Sequence, residues 1–261
     1  MSISSLIIIY LIHFLFSFAG YVLPRETGTD LSIKILDVGQ GDAVLITTPN
    51  DKKILIDGGG NYDVDSYLNN GMPFEPCVLD MVILTHLHDD HSFGLRRVLR
   101  RCTVRVISSN LTGFIDTATK AKPIIKTLVR GDNFVIDGVS FYVLWPPVDY
   151  TNKDLNDTSI VIMLDFKNYE ALLSGDAGGR ILCSLDNFET LNEHLDLYKV
   201  SHHGSITGMC NKLLPKVSVI SVGENKFGHP DGRVIDFLES VGSKVYRTDL
   251  EGTIEIKTNG L

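Results

Sequence analysis

From residue 31 onward the chain is a succession of short apolar runs, rich in β-branched residues and cut by Gly, Pro, Asn and Asp. Runs of this length and composition read as strands, half-buried where they alternate with polar residues and fully buried where they do not. The pattern predicts strands over 31–37, 43–48, 53–57, 80–84, 104–107, 139–145, 159–166, 171–173, 197–200, 217–222, 244–246 and 253–256. Gly39-Gln40-Gly41-Asp42 and Pro49-Asn50-Asp51 mark two of the turns between them. After the fourth strand the period changes, and Leu95, Val98, Leu99 and Cys102 share one helical face. Further helices are expected over 178–184, 209–214 and 233–240, the last with Asp231 as its N-cap and Gly242 just past its end. Strands with helices between them make an α/β class. Two sheets face to face, with helices outside, would bury every apolar run.

The beginning of the chain departs from this pattern. Residues 6–16 are apolar except for His13, and Ser17-Phe18-Ala19 follows as a small-x-small site before Gly20. The run is short of the ~20 residues of a spanning helix. It fits the core of a cleaved export signal over 1–19, with 20–30 as a linker. The alternative is a short membrane anchor over 6–18, since residues 1–5 carry no Lys or Arg. The expectation is a secreted or extracytoplasmic protein with one folded domain over 31–257 and a tail over 258–261. The length of 261 residues suits that count. A net charge of −8 gives no broad basic surface to recruit nucleic acid.

Candidate chemistry is concentrated at strand ends. Thr85-His86-Leu87-His88-Asp89-Asp90-His91 closes the 80–84 strand. Neutral imidazoles and carboxylates suit Zn²⁺, and also Mn²⁺ or Fe²⁺. His86 and His88 alternate with Leu87, so an extended end aims both rings at one point. Asp90 and His91 follow the bend and can reach a second point nearby. Two metals ~3.5–4 Å apart share one bridging hydroxide in two-metal hydrolases. Asp176, after the 171–173 strand, is placed to bridge them. Lys199-Val200-Ser201-His202-His203-Gly204-Ser205 repeats the strand-then-imidazole design, Phe227-Gly228-His229-Pro230 adds another turn histidine, and Asp57 ends a further strand. Six of the eight histidines fall in these turns; His13 and His194 read as non-functional. Cys77, Cys102, Cys183 and Cys210 lack Cys-x-x-Cys spacing, which argues against a thiolate zinc site. One or two disulfides in an exported chain, or four buried thiols, both remain open. Asn110-Leu111-Thr112 is a glycosylation sequon.

Taken in order, Asp57-Gly58, His86-x-His88-x-Asp90-His91, Gly175-Asp176 and His202-His203-Gly204 resemble the metallo-β-lactamase superfamily. The finer likeness is to the soluble hydrolase domain of the ComEC competence family. It rests on Leu36-Asp37-Val38-Gly39-Gln40-Gly41-Asp42-Ala43, the 199–205 run, Gly228-His229-Pro230 and the closing Tyr246-Arg247-Thr248-Asp249 with Gly252-Thr253-Ile254. The resemblance implies a four-layer αββα sandwich with a dimetal site at one edge between the sheets. It implies His86 and His88 on one metal, Asp90, His91 and one of the paired histidines, His203 before His202, on the other, and Asp176 on both. His202 would support that set or contact the leaving group, Asp57 would orient a ligand histidine, and His202, His229 and Asp42 are the candidate catalytic residues. The chain has no His between His91 and Asp176, where many relatives carry another ligand. That argues against a true β-lactamase; in the ComEC-like branch Asn156-Asp157-Thr158-Ser159 would occupy that loop. The first metal would keep an open position, as suits catalysis.

The function expected is a secreted metal-dependent hydrolase, foremost a phosphodiesterase or nuclease with two divalent ions, zinc before manganese. The partner expected is a phosphate ester, with DNA among the candidates; the channel region of the competence proteins is unmatched, so no DNA channel is implied. Arg96, Arg97, Arg100 and Arg101, on the face opposite Leu95 and Leu99, offer modest support. The alternative is hydrolysis of a phosphorylcholine ester, lactone or thioester at the same site. A metal-binding module without activity fits the ligand set less well, because it would not need an open metal position.

Overall fold

The computed structural model describes residues 28–68, 77–109, 119, 122–185 and 195–261. The segment expected to direct export, most of the expected linker, the sequon, His13 and His194 lie outside the described residues.

Alternation sets which way each strand faces. In the strand Val161–Phe166, Ile162 and Leu164 enter one core, while Val161 and Met163 enter another on the opposite face. The same division holds in the inner strands, and the strands build two seven-stranded sheets back to back. The first contains β1 (Leu31–Ile35), β2 (Val44–Thr47), β3 (Lys53–Ile56), β4 (Val78–Leu84), β5 (Thr103–Ser109), β6 (Ile124–Thr127) and β14 (Ile254–Thr258), in the order β14-β1-β2-β3-β4-β5-β6. The second contains β7 (Asn133–Ile136), β8 (Val139–Trp145), β9 (Val161–Phe166), β10 (Tyr169–Leu173), β11 (Leu195–Lys199), β12 (Val217–Ile220) and β13 (Lys244–Arg247), in the order β13-β12-β11-β10-β9-β8-β7. Each sheet is antiparallel in one half and parallel in the other: β3-β4-β5-β6 and β10-β11-β12-β13 run parallel.

Ile33, Ile46, Ile83, Phe141, Ile162 and Leu173 fill the space between the sheets. Outside the first sheet lie α1 (Val64–Tyr67), α2 (Asp89–Ser92) and α3 (Leu95–Arg101); Leu95, Val98 and Leu99 close a second core over Leu79 and Val82. Outside the second sheet, α4 (Gly179–Leu182) and α5 (Gly232–Ser240) bury Ile181, Leu182, Val234 and Leu238 over Leu172 and Tyr198. A short α6 (Thr248–Glu251) precedes β14. This is the αββα sandwich, with one core between each pair of layers.

Two expectations are corrected. The 209–214 segment is not helical. Cys210 is bonded to Cys183, and the chain runs so close to α4 that a Cβ on Gly179 would sit 1.9 Å from the Met209 carbonyl oxygen. Covalent anchoring and backbone contact override the helical spacing of its apolar residues. The thiol alternative also falls: Cys77 pairs with Cys102, Cys183 with Cys210, and no described cysteine is free. The strands β6 and β7 went unpredicted because both are sheet edges whose side chains are exposed or half-buried, so burial imposes no pattern on them.

Candidate metal centre

The carboxyl ends of β3 and β4 from one sheet meet those of β10 and β11 from the other. The strand β4 ends in buried Thr85 and His86, stays extended to His88, and turns into α2 with His88 as the residue before its first turn. Asp90 and His91 therefore come from a helical turn, while His86 and His88 come from extended chain. Asp176 follows β10. His202 and His203 follow β11 on a tight turn in which both non-glycine residues have positive φ, 52° and 54°. Two such residues in succession are strained and persist only where the surroundings hold them. Gly41 has φ +136°, and a Cβ there would lie 2.2 Å from the Asp90 carbonyl oxygen, so the turn before β2 can press against the ligand turn only as glycine.

Two groups of donor atoms form around Asp176, each with all its atoms within 4.8 Å of one another. One is His86, His88 and Asp176; the other is Asp90, His91, Asp176 and His203. Asp176 is common to both. His86 Nε2 is 3.1 Å from His88 Nδ1 and 3.9 Å from Asp176 Oδ2. Asp176 Oδ2 lies 3.2 Å from His91 Nε2 and 3.5 Å from His203 Nε2, and His203 Nε2 is 3.2 Å from Asp90 Oδ2.

The far side of each buried ring is tied off. His91 Nδ1 donates to Asp57 Oδ2 at 2.8 Å. Asp57 is itself fixed by the Thr85 N–H at 2.8 Å and the Thr85 hydroxyl at 2.6 Å. His203 Nδ1 donates to the Ser221 carbonyl at 2.9 Å. His86 Nδ1 faces the hydroxyls of Thr85 and Ser159, each at 3.2 Å. With Nδ1 occupied, each Nε2 presents its lone pair inward, as a metal ligand requires. His91 Nε2 and Asp176 Oδ1 are buried with no hydrogen-bond partner. Buried polar atoms are costly to leave unmatched, and these converge where a cation would match them. The donor set is imidazole and carboxylate with no thiolate, so it fits a pair of divalent ions of the zinc or manganese kind.

The charges agree. Burial disfavours the ionised carboxyl of Asp176, but His91 and His203 outweigh it and hold the group well below the carboxylate range. Burial opposes the protonated ring of His91, yet Asp176, Asp57 and Asp42 raise it well above the ordinary histidine range. Burial likewise opposes His203, which Asp176, Asp42 and Asp90 raise to about 9. Without metal, protons do the neutralising that a cation would do.

Asp42 is not where a residue touching substrate would be. It is 2% exposed and lies behind the rings, 3.8 Å from His91 Nδ1 and 3.4 Å from His203 Nδ1. It is ion-paired with Lys199, itself 1% exposed. Burial raises its carboxyl, but Lys199 and then His91 hold it down to about 2. Asp42, Asp57 and His91 also cluster as donors, but the Lys199 ammonium already supplies a cation there. Lys199 and Ser159 are the site residues the sequence reading missed.

His202 is half-buried, with Nδ1 3.1 Å from the Thr207 hydroxyl and Nε2 3.9 Å from Asp176 Oδ2. His229 packs edge-on against it with ring centroids 5.4 Å apart. Burial keeps both imidazoles below the ordinary histidine range. Neither belongs to a candidate ligand group among the described residues. Of the α3 arginines, Arg97 and Arg101 pair with buried Asp65, Arg96 lies 3.5 Å from Asp89, and Arg100 donates to the Arg96 carbonyl; none of the four lines either cleft at Asp176.

Two clefts open onto Asp176, Asn156 and His202. One, of about 650 Å³, runs past His88, Gln40, Phe227 and His229. The other, of about 540 Å³, runs past Tyr150, Asn152, Arg180 and Thr207. A larger hollow of about 830 Å³ lies on the outer face of the first sheet. Four of its five cations are paired within it, Lys34 and Lys257 with Glu255, Lys52 and Arg105 with Asp80, and it holds no candidate ligand group among the described residues.

Residues 36–223 match the family model of the metallo-β-lactamase superfamily. Among curated proteins, ComE operon protein 3 of Bacillus subtilis is 29% identical over 86% of this chain and 33% of its own length. Competence protein ComA of Neisseria gonorrhoeae is 26% identical over 91% of this chain and 34% of its own. The chain thus spans about a third of the length of these relatives. The metallo-β-lactamase fold protein YhfI of Bacillus subtilis superposes with a TM-score of 0.57 at 15% identity, covering 87% of this chain and 100% of that one.

Proposed function

This chain belongs to the metallo-β-lactamase superfamily of metal-dependent hydrolases, and we propose that it hydrolyses phosphodiesters with two divalent ions, zinc before manganese. His86, His88 and Asp176 would hold one ion, and Asp90, His91, His203 and Asp176 the other. Such ions supply Lewis acidity and a water acidified toward neutral pH.

The chain's own groups do the rest. Asp57, Thr85, Ser159 and Ser221 hold each ring in the tautomer that leaves Nε2 free. Asp42 and Lys199 form the buried support behind His91 and His203. His202, with Nδ1 accepting from Thr207, turns Nε2–H toward the clefts, where it can donate to a phosphate oxygen or to the departing group. His229 steadies that ring.

The observation that carries the diester reading is the meeting of two clefts at Asp176 and His202. A phosphodiester has a substituent on each side of phosphorus, and each cleft has room for one. A nucleic-acid substrate would be held by the ions and local contacts, because the chain is acidic overall. DNA is the first polymer to test, since one relative is named a competence protein.

Metal-loaded protein should turn over bis-p-nitrophenyl phosphate or DNA faster than a phosphorylcholine ester, a lactone or nitrocefin. Faster turnover of any of the last three would replace this reading. Export is part of the proposal, supported by the two disulfides, which suit an oxidising compartment. Extracytoplasmic protein should begin at or near Gly20; an intact 1–19 segment in the membrane fraction would favour the anchor.

A further inference from the structure

A single exposed phenylalanine ordinarily needs no explanation. Phe227 differs because its exposure is built. It is 73% exposed and lines the 650 Å³ cleft beside the candidate ligands. Its loop is braced by one side chain: Asn225 Oδ1 accepts from the N–H groups of Phe227 and His229 at 3.0 and 3.1 Å, and Asn225 Nδ2 donates to the carbonyls of Gly223 and His229 at 2.8 Å each. The Phe227 ring stacks on His229 at 5.7 Å and 28°, and His229 stands 5.4 Å from His202 and 6.4 Å from His203. A line of rings therefore leads from the candidate metal centre to an aromatic face open to solvent.

A second observation in the same cleft is independent of the first. Gln40 Oε1 accepts from the Gly223 N–H at 3.4 Å, which fixes the orientation of the amide. Its Nε2 is buried and has no hydrogen-bond partner. Gln40 lines the cleft, and a buried donor left unmatched is costly, so an acceptor brought beside it by whatever fills the cleft would be favoured.

We propose that Phe227 and Gln40 form a subsite for a nucleobase attached through its sugar to the scissile phosphate, with Phe227 stacking on the ring and Gln40 Nε2 donating to a base carbonyl or ring nitrogen. The substrates of the proposed reaction are then nucleotide diesters, and this cleft takes the nucleoside on one side of phosphorus. A planar ring bearing acceptors uses both features. A choline group would favour several converging aromatic faces and could accept nothing from Gln40. An acyl chain would leave the Gln40 amide unmatched.

The catalytic arm of the test rests on the phosphodiester reading; the binding arm does not. Full-length, metal-loaded protein is assayed on thymidine 5′-(p-nitrophenyl phosphate), methyl p-nitrophenyl phosphate and p-nitrophenyl phosphorylcholine. Phe227→Ala should lower kcat/KM for the thymidine ester about 10- to 100-fold, mainly through KM, and leave the other two within about twofold. Gln40→Ala should lower the thymidine ester alone, and Phe227→Trp should restore it. Equal losses on all three, no loss on any, or a selective loss on the choline ester would each overturn the subsite. For the binding arm, thymidine 5′-monophosphate is titrated while the Phe227 ring and Gln40 amide resonances are followed by NMR. Shifts of both that are absent with methyl phosphate, and loss of the Gln40 shift in Phe227→Ala, are expected whether or not any diester is cleaved. The same response to both phosphates would refute the subsite without touching the phosphodiester reading.

Discussion

His203 and His202 are neighbours in sequence and opposites in environment. His203 is buried with Nδ1 locked on a backbone carbonyl, while His202 is half-buried and leans on a threonine hydroxyl. His203→Ala should therefore remove about one metal ion per chain. His202→Ala should keep both ions and lose ~10²–10⁴-fold in turnover, the usual value of acid–base assistance. Metal analysis beside kinetics checks this, and loss of metal in His202→Ala would reverse the two roles. Protonation makes a second prediction. In metal-free protein His203 keeps its proton up to about 9, and the carboxylates of Asp176, Asp57 and Asp42 hold His91 well above the ordinary histidine range. A metal needs both rings neutral, so its affinity should rise with pH through the range below 9, and binding at pH 7 should release protons. Calorimetry in two buffers of different ionisation enthalpy counts them; a count near zero would contradict the electrostatic picture. At this scale the sequence was legible where residue type carries chemistry: the His86 to His91 cluster, Asp176 and the paired histidines. Ser159 and Lys199 were not legible, because a serine or a strand lysine acquires meaning only from its partner across the fold.

Strand ends are the elements that make the centre. Strands β3 and β4 bring Asp57 and the histidine cluster from one sheet, and β10 and β11 bring Asp176 and His203 from the other. Most strands were legible because burial on a sheet imposes a period of two. The edge strands β6 and β7 were hidden for want of that burial, and the 209–214 segment misled because its apolar spacing serves a disulfide-anchored stretch. That disulfide ties α4, just after Asp176, to the segment just after His203. Replacing Cys183 and Cys210 by serine should lower stability by ~2–4 kcal/mol and weaken metal binding more at the group containing His203 than at the pair His86 and His88. Urea unfolding and stepwise metal titration read the two effects; unchanged stability would mean that packing alone holds the segment.

For the whole molecule, two half-parallel sheets leave one edge at which neither can complete the centre alone. His86, His88, Asp90 and His91 come from the first sheet, Asp176 and His203 from the second, and the clefts run along the seam between them. The four-layer architecture was legible from its buried runs and from the resemblance that the Asp, His and Gly motifs carry. The clefts were not, since loops distant in sequence, such as 150–157 and 223–230, line them together. The central proposal is that the chain cleaves phosphodiesters with two divalent ions, which these residues would hold across that seam with Asp176 contributing to both groups. Its most direct test adds zinc or manganese stepwise to metal-free protein while hydrolysis of bis-p-nitrophenyl phosphate is followed. Activity should stay low through the first equivalent, rise with the second and level off at two ions per chain, and Asp176→Ala should bind little of either. Full activity with one ion or none, or an Asp176→Ala variant that still binds two, would contradict it.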